Sequence, residues 1–275
     1  MKDTIITTDP AIAAEALRMG KIIGMPTETV YGLAAAIDSV EALKSIFEIK
    51  QRPYNNPLIL HIYDVNQLED IAISVSGSAK ALAEAFWPGP LTLLLRKAPS
   101  VPDIVTAGLD TVAVRIPGHP LALELLRKVN KPVAAPSANP FGQISPTEAA
   151  HVAGYFNAQI PIILDGGPCT VGIESTIVGF NDERAVIYRH GSITQTQIAE
   201  VCKTATVDGS AEKAIVAPGM YLRHYAPRTP LLFSSDLAAL IKRYAGCKIG
   251  LLYYNQYTPD FISCATVAQN IERVR

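Results

Sequence analysis

The chain has 275 residues, 49% of them hydrophobic and 18% charged. That composition supports a well-buried α/β core and excludes a disordered chain, which needs high charge and few apolar side chains. Basic and acidic residues number 24 and 25, a formal charge of −1, so no global field draws the protein onto nucleic acid, although a local basic patch stays open. The four cysteines (Cys169, Cys202, Cys247, Cys264) form no C-x-x-C pair. This argues against a disulfide framework or structural zinc and for a reducing cytoplasm. No apolar run approaches the ~18 residues of a membrane span and the N-terminus has no apolar leader core, so a soluble protein without membrane contact is expected.

Short β-branched runs alternate with helical patterns. "TIIT" (4–7) reads as a strand, after which Asp9 is placed to cap a helix, Pro10 fits its first turn and Gly20 stops it. "KIIGMP" (21–26) reads as the next strand. Asp38 or Ser39 opens a helix reaching Lys50, with Val40, Leu43, Ile46, Phe47 and Lys50 on one side. Further strands are predicted in "PLILHI" (57–62), "LTLLLRK" (91–97), "TVAVRIP" (111–117), "KPVAAPSAN" (131–139), "PIILDGG" (161–167), "STIVGF" (175–180) and "RAVIYR" (184–189). Helices are predicted over 65–71, 77–86, 120–128, 147–155 and 193–202.

From residue 203 the texture changes to small and polar residues with three prolines and no period, which predicts a linker over 203–229 that returns to the main domain. Beyond it "LLFSS", "DLAALIKRYAGC", "KIGLLYY" and "FISCATVA" read as β-α-β-β, a partial doubly wound domain over 230–275 that looks cut short. The expected layout is a main domain over 1–202, the linker, and this small α/β tail.

Familiar nucleotide signatures are missing: there is no G-x-x-x-x-G-K-[ST] and no G-x-G-x-x-G. The five histidines make no H-x-x-x-H pair and no G-x-S-x-G occurs. An anion site therefore has to be assembled from side chains and strand ends. Strand alternation points to where. In "TVAVRI" Thr111, Ala113 and Arg115 face opposite to Val112, Val114 and Ile116; in "PLILHI" Ile59 and His61 oppose Leu58, Leu60 and Ile62. In "VAAPSAN" Ala135, Ser137 and Asn139 share one parity, and Arg189 ends its strand. Polar residues ending apolar strands suit a ligand crevice at the edge of an open α/β sheet. Each has an ordinary alternative: a strand-end arginine in solvent, turn residues beside prolines, a satisfied half-buried histidine, helix C-terminal cations at Lys50 and Arg52, and Trp87 as a packing anchor.

Taken together and in order, the motifs carry more. "PTETVYGL" (26–33), K-x-R at Lys50 and Arg52, "NNPLILHI" (55–62), "FWPGPLTLLL" (86–95), "TVAVRIP", "APSAN" (135–139) followed by an S-x-T, "GIESTIV" (172–178) and "YRHGSI" (188–193) resemble the YrdC-like family. "APGMYLRHYAP" (217–227) is similar to the linker of the family's long form, the two-domain threonylcarbamoyl-AMP synthases. The resemblance runs from about residue 5 to about 228, and the tail resembles the first half of that form's C-terminal domain.

The resemblance implies a twisted, open, mixed sheet flanked by helices. The implied reaction joins L-threonine, bicarbonate or CO2, and ATP into threonylcarbamoyl-AMP with release of pyrophosphate. A downstream threonylcarbamoyl transferase complex would then modify the adenosine beside the anticodon of tRNAs reading ANN codons, which leaves room for a weak tRNA contact. Family matching sets Lys50, Arg52, Asn56, Thr111, Ser137, Asn139, Ser145 and Arg189 around ATP, with His224 reaching it from the linker. It sets Thr29, His61, Arg115, Ala135 and Ser175 around threonine. Lys50 and the fork of Arg52, aimed by Pro53, suit a triphosphate. Arg115 suits the amino acid's carboxylate, and Mg2+ is expected on the ATP phosphates rather than in a protein cage. Catalysis by positioning and charge stabilisation is expected, with Lys50 and Arg52 against the leaving pyrophosphate and no general base assigned. The competing readings are a module binding double-stranded RNA through phosphates, a carbamoyl transferase of hydrogenase maturation, and an inactive scaffold.

Overall fold

The computed structural model describes residues 3–203, 206–209, 232–247 and 249. The chain divides into two units, Met1–Pro227 and Arg228–Arg275. In the first unit the strands are β1 (Ile5–Thr7), β2 (Ile23–Met25), β3 (Gly32–Ala36), β4 (Ile59–His61), β5 (Ala72–Ile73) and β6 (Leu91–Lys97). They continue with β7 (Thr111–Arg115), β8 (Val133–Ala134), β9 (Ile162–Leu164), β10 (Thr176–Asn181), β11 (Arg184–Arg189) and β12 (Val207–Asp208). The helices of this unit are α1 (Pro10–Arg18), α2 (Val40–Lys50), α3 (Leu68–Ile71), α4 (Gly77–Phe86), α5 (Asp103–Thr106), α6 (Pro120–Val129), α7 (Ala149–Phe156) and α8 (Gln195–Cys202). Among the described residues none is long and apolar enough to cross a membrane.

Local chemistry sets the helix ends as the sequence predicts. Asp9 accepts from the Ala11 amide at 2.8 Å and Gly20 turns the chain at φ +69°, a conformation that costs glycine little. Ser76 caps α4, and Thr194 with Gln197 forms a capping box on α8. All strands join one mixed sheet in the order β1-β9-β2-β3-β8-β4-β7-β6-β10-β11-β12, with β5 added beside β6. Parallel pairs such as β4·β7 alternate with antiparallel ones such as β2·β3 and β6·β7.

Two apolar layers clamp the sheet. On one face Leu58, Leu60, Leu93, Val112 and Val114 pack against Leu43, Ile46 and Phe47 of α2, Leu82 of α4 and Phe156 of α7. On the other face Ile23, Met25 and Val133 meet Ala13 and Leu17 of α1 with Leu125 and Leu126 of α6. A small third cluster, Ile59, Leu94, Ala113 and Ile177 with Tyr188, extends this second face beyond α1 and α6, because the β4·β7, β6·β7 and β6·β10 registers place these side chains in one row.

Four expectations change. β3 arises in "GLAAA", whose small residues carry little strand propensity alone and are held by pairing on both sides. The strand expected through "KPVAAPSAN" stops at Ala134; Pro136 has no amide hydrogen for a ladder, and only an isolated Gly32–Ser137 bridge follows. The stretch expected to be linker contains β12, which extends the sheet beside β11. In the second unit α9 (Leu237–Arg243) forms as predicted, capped by Asp236, but residues 232–235 are not a strand. The remaining tail predictions lie outside the described residues.

Candidate active site

β4 and β7 lie side by side and parallel, so His61 pairs directly with Arg115 and Ile59 with Ala113. The alternation read from sequence therefore projects both polar residues to the second face, while their apolar neighbours enter the main core. There they line a cleft of about 530 Å³ of empty space, part of it open to solvent. Its other walls come from Thr27, Thr29 and Val30 after β2, Arg52 and Pro57 after α2, and Ala135 to Ser137 after β8. Glu174, Ser175 and Arg189 close it.

Arg115 is buried at 3% exposure and held by all three arms of its guanidinium. Nε donates to the Gly89 carbonyl at 3.0 Å and one terminal nitrogen to Thr29 Oγ1 at 2.8 Å. The other lies 2.5 Å from Glu28 Oε1 as an ion pair whose N–H directions are poorly aligned. Burial pulls the Arg115 pKa down, and Glu28 opposes that shift. His61 is buried beside it with Nδ1 unpartnered. Burial first, and then the Arg115 charge, push the histidine down to about 3, so it is neutral at physiological pH.

A second knot forms around the K-x-R motif. Arg52 Nε donates to the Asn56 carbonyl at 3.1 Å, and one terminal nitrogen reaches Asn56 Oδ1 and the Pro57 carbonyl, both at 2.6 Å. Lys50, the last residue of α2, points inward at 1% exposure and donates to the carbonyls of Ser137 and Asn139. Burial, then the Arg52 charge, hold its pKa well below the ordinary lysine value, with Glu174 partly offsetting them. Lys50 is thus the pin of the "APSAN" loop, which Asn139 Nδ2 braces through the carbonyls of Pro140 and Gln143 at 3.0 and 2.8 Å.

On the third side Arg189 donates from Nε to the Ser175 carbonyl and from a terminal nitrogen to Ser175 Oγ, each at 3.0 Å. Ser175 Oγ shares a further hydrogen bond with Thr92 at 2.7 Å. Ser145 donates to Glu174. The loop 165–172 is stitched to the first motif by Val171 N to Glu28 O at 2.8 Å and Gly172 N to Thr29 O at 3.0 Å. Tyr31 anchors its base, donating to the Gly167 carbonyl at 2.8 Å and accepting from Gly166 N at 3.1 Å.

Of the residues expected at a site, the fold brings Thr29, Arg52, His61, Arg115, Ala135, Ser137, Ser175 and Arg189 to one cleft. Lys50, Asn56, Asn139 and Ser145 stand directly behind that lining through the hydrogen bonds above. Thr111 shares the face of Arg115 but sits four strand residues away, about 13 Å along β7, and does not line the cleft. His224 lies outside the described residues. The parity argument for Ala135, Ser137 and Asn139 is corrected: they share a loop rather than one side of a strand. Glu28 and Glu174 were missed, although both stand inside quoted motifs, where an acid in an apolar and hydroxyl-rich run signals a partner for a buried cation.

Comparison with known proteins bears on what this cleft is. A family model described as "Telomere recombination", of the Sua5/YciO/YrdC type, matches residues 15–191, and one described as "Threonylcarbamoyl-AMP synthase, C-terminal domain" matches 193–273. The threonylcarbamoyl-AMP synthase of Bacillus subtilis is 43% identical over 97% of this chain and 82% of its own length. The chain belongs to the Sua5/YciO/YrdC family. Within that family, the threonylcarbamoyl-AMP synthase of Pyrococcus abyssi is 41% identical over 90% of this chain and 77% of the relative. The crystal structure of P. abyssi Sua5 complexed with L-threonine superposes with a TM-score of 0.85, at 40% identity, covering 94% of this chain and 82% of that one. The mixed α/β fold expected of the family is the fold observed here.

Proposed function

We propose that this chain is an L-threonylcarbamoyladenylate synthase: an ATP-using transferase that forms threonylcarbamoyl-AMP and pyrophosphate from L-threonine, bicarbonate or CO2, and ATP. The observation that carries this reading is the Arg115–His61 pair at the cleft, in a fold matching a Sua5 crystallised with L-threonine. In this reading Thr29, His61, Arg115, Ala135 and Ser175 form the threonine end. A neutral histidine suits a hydroxyl, which both donates and accepts.

Arg52, Ser137 and Arg189 form the phosphate end, supported by Lys50, Asn56, Asn139 and Ser145, with Thr111 and His224 farther along the nucleotide. The cations cluster where the leaving pyrophosphate gathers charge, in a partly desolvated cleft where such contacts count most. Mg2+ enters as part of the nucleotide substrate. We assign no protein nucleophile; the threonine carbamate oxygen attacks the α-phosphorus, and the cleft lines the reactants up. The product would pass, in the cytoplasm, to a complex that transfers the threonylcarbamoyl group to tRNA.

Threonine-dependent release of pyrophosphate from ATP and bicarbonate tests this, with serine as the control amino acid. Release with threonine supports the synthase. Salt-sensitive binding of double-stranded RNA without such release would replace it with the RNA-binding reading.

A further inference from the structure

The synthase reading contains a proton that the expected site residues do not account for. Threonine arrives as an ammonium ion, and an ammonium nitrogen has no lone pair with which to bond to carbon. For bicarbonate the balance is one ammonium plus one bicarbonate giving one carbamate, one water and one proton. The N–C bond forms and the C–OH bond breaks; one ammonium hydrogen leaves with the hydroxyl as water, one stays on nitrogen, and one must be accepted. Starting from CO2 no water is formed, and one ammonium plus one CO2 gives one carbamate and two protons, so the need for an acceptor is greater still.

The cleft lining offers few acceptors. It holds the arginines Arg52, Arg115 and Arg189, hydroxyls and apolar groups, which take no proton at neutral pH. His61, held down near 3 beside Arg115, is too weak a base. Glu28 is committed to Arg115 and lies outside the lining. Among the described residues that line the cleft, Glu174 is the one carboxylate. Ser145 tethers its Oε1, Lys50 interacts with it electrostatically from behind the lining, and it shares the cleft with Arg52 and Arg189. It sits next to Ser175, at the junction of the threonine and phosphate ends.

We propose that Glu174 receives the threonine ammonium and accepts the proton released as the nitrogen bonds to the carbonate carbon. This rests on the synthase reading and adds a catalytic residue to it. The hydrogen bond from Ser145 holds Oε1, which leaves the second oxygen to take the proton.

The test uses the full chain and its Glu174→Gln and Glu174→Asp variants, assayed for threonine-dependent pyrophosphate release from pH 6.5 to 9.5. Glu174→Gln should lose about 100-fold in kcat at pH 7 and recover about tenfold per pH unit as free threonine amine becomes available. Glu174→Asp should keep the wild-type profile at a reduced rate. Binding of L-threonine should weaken at least tenfold in Glu174→Gln, while binding of 3-hydroxybutyrate, which lacks the amine, stays within twofold. A Glu174→Gln rate within threefold of wild type at pH 7 would overturn the assignment. So would a loss equal at every pH, which marks a structural tether. A wild-type chain without threonine-dependent release would instead overturn the synthase reading, and this inference with it.

Discussion

His61 should make the first unit sensitive to acid, by an amount that follows from its burial. Its pKa lies near 6.5 in the unfolded chain and falls to about 3 in the fold, where burial and then Arg115 oppose a second positive charge. Because the folded value is the lower one, the unfolded chain binds the extra proton between those limits. The stabilisation is then complete above pH 6.5 and is lost as pH falls toward 3. The slope in that window is about 1.4 kcal/mol per pH unit, which gives about 2 kcal/mol between pH 7 and pH 5. Urea unfolding followed by tryptophan emission measures it cleanly. Trp87 is the chain's single tryptophan, packs against the main core and donates to the Leu91 carbonyl at 2.7 Å, so it reports on this unit. The comparison is with His61→Gln, in which the other titrating groups are unchanged and cancel. Wild type should lose about 2 kcal/mol more than the variant on going from pH 7 to 5. Identical pH dependence in the two proteins would refute the reasoning, as would an imidazole titration midpoint near 6.5 in the folded wild type.

Glu28→Ala should destabilise the first unit by about 3–5 kcal/mol, because it leaves Arg115 charged and buried without its counter-ion. The double variant Glu28→Leu/Arg115→Met should recover most of that loss in the same unfolding assay while abolishing threonine binding. Tyr31→Phe removes the hydroxyl shared by Gly166 and Gly167, and should cost about 1–3 kcal/mol. It should also weaken threonine binding by calorimetry, since the loop it anchors holds Thr29 through Gly172. Arg52→Lys keeps the charge but loses the planar fork that grips Asn56 and Pro57, so ATP affinity should fall at least about tenfold; unchanged affinity would take Arg52 out of the phosphate site.

Much of this was legible before any coordinates. Alternation along β4 and β7 set which side chains enter the core, since the pleat leaves each residue only two directions, and the same rule set His61 and Arg115 each opposite the apolar set of its own strand. The helix start at Asp9 followed from a side-chain oxygen that satisfies a free amide. The ordered motifs, lying over 177 consecutive matched residues from 15 to 191, carried the family.

What only the tertiary structure decided were the partnerships between distant segments. Parity says that Thr111 and Arg115 share a face, but the β4·β7 register selects Arg115 alone to stand beside His61 at the cleft. Sequence gives Lys50 a charge and a helix; packing against residues 137 and 139 turns that charge inward, where it ties a loop. Nor can spacing alone pair Glu28 with Arg115, 87 positions later, or show that Glu174 lines the same cleft as the arginines. Local rules act through a residue's own neighbours, whereas the charge balance of a site depends on which strands lie side by side, and that is set by the packing of the whole sheet.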